Sequence, residues 1–144
     1  MKKLTDLRFL FTLVAILEAF YAVVATLTPP ELVLPLTGWD LNADGQWIVK
    51  LLGVALASQA WVAWVLREEP PLGIAKALAF YQFASATVDW VMWLALADQG
   101  IFSTSAGRIG VLLAIPSHYA LAILLLAAIR KSSHGVEEER RKEA

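Results

Sequence analysis

Four long apolar runs, separated by short polar breaks, constrain this chain more than any other feature. They extend from Phe9 to Thr28, Trp47 to Leu66, Leu72 to Ala97 and Ile109 to Ile129. Each has roughly the 20 residues that a helix needs to cross a hydrocarbon core about 30 Å thick. The composition agrees, since 58% hydrophobic residues and a mean hydropathy of +0.61 exceed what a soluble core of 144 residues requires. No strand-like alternation and no internal repeat competes with this reading. The expected fold is all-α: a polytopic membrane protein built as an antiparallel four-transmembrane-helix bundle over residues 1–131, followed by a charged cytoplasmic tail over 132–144.

The breaks carry the topology. Pro29-Pro30 ends the first run, and the connection to Gln46 holds Glu31, Asp40 and Asp44 but no Lys or Arg. Within it, Leu32 to Leu36 is apolar enough to lie along a membrane surface, and Trp39 and Trp47 suit the headgroup level. Arg67-Glu-Glu-Pro-Pro71 is a tight charged turn between neighbouring helices. Lys2, Lys3, Arg8, Arg67, Lys76, Arg130, Lys131, Arg140, Arg141 and Lys142 then fall on the side shared by both termini, and only Lys50 and Arg108 on the other. That asymmetry predicts a multi-pass inner-membrane protein with both termini cytoplasmic. The basic start followed by Phe9 to Leu17 also has the outline of a signal peptide, but Glu18 interrupts the hydrophobicity that cleavage would require. From Lys131 onward the expectation is a frayed helix or a disordered tail.

Several functions are disfavoured on composition. A net charge of −1 provides no field for nucleic acid, and the absence of cysteine removes disulfides, thiolate metal sites and Cys nucleophiles. Asp40-Leu-Asn42-Ala-Asp44-Gly45 resembles the first half of a calcium loop, but Leu51 stands at the twelfth position, where a bidentate Glu is required. A polar turn is the simpler reading, with Asp44 capping the next helix and Gly45 easing the bend. One intramembrane histidine gives no bis-histidine haem site, and there is no Glu-x-x-His pair, phosphate loop or Gly-x-Ser-x-Gly elbow. Neither a cofactor nor a metal is indicated, and no catalytic set emerges.

Polar residues inside the spans carry the functional argument. Gln82, Ser85, Asp89 and Trp93 share one stripe of a helix. Counted from the cytoplasmic boundary, Glu18 lies roughly 15 Å deep, Gln59 roughly 12 Å, Asp89 roughly 20 Å and His118 roughly 18 Å. One such residue on each helix at a common level implies that they meet, with Gln82, several turns nearer the cytoplasm, lying apart. An acid at mid-span costs on the order of 3 kcal/mol, so Glu18 and Asp89 should face inward and serve function. Gln59, Gln82 and Ser85 are read first as hydrogen-bonding links between helices. With His118 the acids would form a coupled group holding one or two protons that move with pH or ligand. Trp90, Trp93, Tyr21 and Tyr119 adjoin these positions and could wall a cationic or planar ligand. Pro116 should kink the fourth span just before His118.

The arrangement resembles two small four-helix membrane families, the DoxX-like bacterial proteins and the EXPERA group that includes the sigma-2 receptor and sterol isomerases. The shared features are two inside termini, a long Pro-containing first loop, a Pro within the fourth span at Ile115-Pro116-Ser117-His118, and a charged tail. The EXPERA resemblance implies an intramembrane cavity whose acids face a lipophilic amine or sterol, roles that Glu18 and Asp89 could fill. The second span offers Gln59 where that pattern has an acid, so architecture and cavity carry over and isomerase chemistry does not.

Three functional classes follow. The leading expectation is a midplane polar cavity that binds a small lipophilic or lipid-like ligand, with Glu18, Asp89, His118, Gln59, Trp90, Trp93 and Tyr21 as the site. The others are an oligomeric proton-coupled transporter or channel, and a non-catalytic subunit of a larger membrane complex. The implied partners are the lipid bilayer, a lipophilic small molecule, and further copies or other membrane chains, with no nucleic acid.

Overall fold

The structure is a computed structural model that describes residues 6–37, 39–96 and 104–143, with side chains described through residue 134. Among these residues the chain forms five helices and no strand: α1 (Leu7–Leu27), α2 (Pro30–Thr37), α3 (Ala43–Val65), α4 (Leu72–Leu96) and α5 (Ser105–Glu143). Three are long and apolar enough to cross a membrane, namely α1, α3 and the Ser105–His134 part of α5. At 25 residues α4 is long enough. It falls short on hydropathy because Lys76, Tyr81, Gln82, Ser85, Asp89 and two tryptophans lie within it.

Local chemistry sets the helix ends. Asp6 caps α1, its carboxylate accepting from the backbone N–H of Arg8 at 2.8 Å and of Phe9 at 3.4 Å. Asn42, not Asp44, caps α3: its side-chain oxygen accepts from Gly45 N–H at 2.8 Å. Asp44 instead lies in the first turn, where its charge suits the positive end of the helix dipole. Thr104 precedes α5 and accepts from Gly107 N–H at 3.1 Å. The apolar stretch expected to lie on the surface is helical, as α2, and buries only Val33. Most of the polar loop before α5, residues 97–103, lies outside the described residues. α5 continues through Pro116 and, beyond the fourth apolar run, on to Glu143, so of the two expectations for the tail the backbone follows the helical one.

α1 packs along α3 and α4 along α5, with α1 and α2 also touching α5. A single core joins all four long helices at one end, the base, where α1 and α4 start. It contains Leu10, Phe11, Val14 and Ala15 of α1, Ala63 of α3, Ala75, Leu78 and Ala79 of α4, and Leu121, Leu125, Ala128 and Ile129 of α5. Farther along, contacts are pairwise: Val111 and Ile115 pack with Trp93 and Tyr119 between α4 and α5. Between α1 and α3 the approach is close. A Cβ on Gly53 would lie 2.3 Å from Thr26 Oγ1 and 3.1 Å from the Thr26 nitrogen. Lys50 adds a bond there, donating from Nζ to the Thr28 carbonyl at 2.7 Å.

Candidate functional site

The shared core ends in a polar layer. One turn beyond the last core residue on each helix stands Glu18 after Ala15, Gln59 before Ala63, Gln82 after Ala79, and His118 before Leu121. Helical periodicity alone brings these four to one level, because each continues the inward stripe of its own helix.

Glu18 and Gln82 are the buried polar side chains at this level, at 2% and 1% exposure. Gln82 Nε2 donates to Glu18 Oε1 at 2.9 Å. Its Oε1 pairs with His118 Nδ1. An amide oxygen only accepts, so in this orientation the imidazole is protonated at Nδ1, and in the neutral ring Nε2 is the remaining acceptor. One amide therefore ties three helices together and sets the imidazole tautomer. Gln59 reaches the same carboxylate from α3. It makes no well-aligned hydrogen bond there, and its Nε2 is buried without a partner.

Asp89 is placed differently. It lies seven residues, or about 10 Å, past Gln82 toward the far end of α4. It is half-buried, within electrostatic reach of His118. Its carboxyl makes no hydrogen bond or ion pair to another described residue, in contrast to Glu18. Trp90 beside it is exposed, as is Tyr21 on α1, whose ring meets Phe20 edge-on at 5.6 Å. Trp93 belongs to the packing between α4 and α5. Tyr119 there contacts Phe83 edge-on at 5.5 Å and shares a hydrogen bond with Thr87 at 3.3 Å.

Gln82, set apart by depth counting, thus joins Glu18 and His118 in the layer, and Asp89, two turns away, reaches it only electrostatically, through His118. The signal was available: counted from Leu72, where α4 starts, Gln82 lies roughly 15 Å in, level with Glu18. Tyr81 is a further residue not singled out from sequence. Its hydroxyl lies near Ser85 and within electrostatic reach of Glu18, Asp89 and Tyr21.

Among the described residues no three His, Asp or Glu side chains converge as a metal-ligand set. Two open clefts flank the layer without including it. One of about 650 Å³ lies at the base, with Asp6, Arg8, Glu68, Glu69 and Lys131 on its walls. The other, about 420 Å³, is an apolar groove between α1 and α3. Comparison with protein families, with characterised proteins and with solved structures finds no match to this chain.

Proposed function

We propose that this chain is an integral inner-membrane protein, an antiparallel four-helix bundle with both termini cytoplasmic. It binds a small lipophilic molecule bearing a cationic or hydrogen-bond-donating group. Asp89 is the anchor, Trp90 and Tyr21 are the aromatic walls, and the Glu18–Gln82–His118 layer is the floor. One observation carries the reading: two acids stand at depth in apolar helices, and only one is satisfied internally. Glu18 has its hydrogen bond from Gln82, whereas the carboxyl of Asp89 has none. A half-buried intramembrane carboxyl that has His118 within electrostatic reach but no hydrogen-bond donor among the described residues is costly, and a donor on a bound molecule offsets that cost. The resemblance to the EXPERA group fits the same arrangement, with ligand binding and not isomerisation as the activity.

Purified protein should be stabilised against heat by dodecyldimethylamine more than by dodecanol, and Asp89→Asn should abolish the difference while leaving the unliganded melting temperature unchanged. An amine preference that persists in Asp89→Asn would overturn the assignment. A second reading, proton exchange, draws on the continuity from Glu18 through Gln82 to His118 and on to Asp89. Proton flux in liposomes that vanishes in both Asp89→Asn and Glu18→Gln would select it over passive binding.

A further inference from the structure

The groove between α1 and α3 does not include the polar-layer residues, and the function proposed above makes no use of it. Ala19, Ala22, Ala57 and Ala60 keep it shallow and apolar, and Trp61 and Trp64 stand along one side. From Ala57 to Trp64 it runs about 10 Å along the helices toward the base. Small residues alone would equally suit a partner helix, which needs a flat face to approach. Here Trp61 is 69% exposed and rises beside the alanines, so a helix is held off where a thin acyl chain is admitted.

The end of the groove supplies the second observation. The Arg67 guanidinium lies 3.7 Å over the ring of Trp64, the last indole of the groove. Arg67 also donates to the Trp64 carbonyl, so its position is held from two sides. Its side chain is only 26% exposed. Glu68 answers its charge incompletely. That carboxylate is 3.5 Å from Arg67 Nε but 2.8 Å from Arg8 Nη2, so two guanidinium groups share one anion. Arg67 therefore brings a guanidinium, answered by Glu68 only at 3.5 Å, to the indole that ends the apolar groove, at the level where the membrane reading puts lipid headgroups; Asp6 and Glu69 are the other acids at this end.

We propose that this groove is a binding site for an anionic glycerophospholipid, one acyl chain lying over the alanines beside Trp61 and the phosphate meeting Arg67. The proposal rests on the membrane placement but not on the Asp89 ligand site. The test is native mass spectrometry of the full chain from nanodiscs containing equal phosphatidylglycerol and phosphatidylcholine with identical acyl chains. The wild type should retain phosphatidylglycerol preferentially. Arg67→Gln should reduce that preference about five-fold, the factor for one cation near an anionic lipid surface, and Arg130→Gln should leave it unchanged. Ala19→Leu with Ala57→Leu, both at exposed positions, should lower retention of both lipids without lowering the melting temperature. Equal loss in Arg67→Gln and Arg130→Gln would show only a diffuse basic surface and overturn the site. So would retention of neither lipid by wild type, or a dimer protected across Trp61 in its place. Carbonate extraction separates the two failures, since a chain released by carbonate removes the membrane reading itself.

Discussion

Two carboxyl side chains only seven residues apart in their level along the helices have different work here. Glu18 is enclosed and accepts from Gln82, whose oxygen pairs in turn with His118. Gln82→Leu strips partners from both neighbours, and leaving buried groups unsatisfied costs about 1–3 kcal/mol. Unfolding in detergent micelles should register a loss of about that size. Asp89→Asn, which breaks no internal hydrogen bond, should stay within about 0.5 kcal/mol of the parent. Equal losses would erase the distinction between the two sites. The residues of the layer were legible in sequence as polar interruptions of apolar runs, and the structure brings Glu18, Gln59 and His118 into one layer around Gln82. The pairing was not legible, because a count of rise gives a level and no azimuth, and because a glutamine is as common a helix link as a relay. Only three-dimensional packing shows that one amide reaches both a carboxylate and an imidazole.

Among the elements, α1, α3 and α4 coincide closely with their apolar runs, since length and hydropathy dominate in such segments, whereas α5 covers the fourth run and continues to Glu143. Hydropathy averages over the circumference, however, and in α4 the buried Gln82 enters that average beside the exposed Phe80. The start of α3 turned on a local competition that composition could not decide: Asn42 and Asp44 are both good caps, and Asn42 holds the Gly45 N–H. Gly53 is the residue on which the α1–α3 pairing depends. An alanine there must displace Thr26, whose hydroxyl is already bonded to the Ala22 carbonyl at 2.6 Å, or push the backbones apart. Gly53→Ala should therefore destabilise by about 1–3 kcal/mol, as overpacking does elsewhere, measured as a lower midpoint of unfolding in mixed micelles. Gly73, with open space around it, should accept the same change without that loss.

For the whole molecule, the orientation proposed above rests on the distribution of Lys and Arg, and the absence of native cysteine makes it simple to check. Ala43→Cys and His134→Cys are exposed positions near opposite ends of the helices. An impermeant maleimide should label Ala43→Cys in intact cells and His134→Cys only in inverted vesicles, and the reverse pattern would overturn the topology. Apart from orientation, the packing gives the molecule an uneven mechanical character. All four long helices are fastened below the polar layer, and above it they continue as two pairs. The layer is in this sense a fulcrum and the pairs are two arms. Across the top runs a strap, α2, which leaves the end of α1 and rests on α5 with Val33 as its one buried side chain. A wedge driven between the arms loads the Gln82 hydrogen bonds at the pivot and pulls on Val33 at the strap. With a single buried side chain, the strap buries far less apolar surface than the core that fastens the arms below the layer.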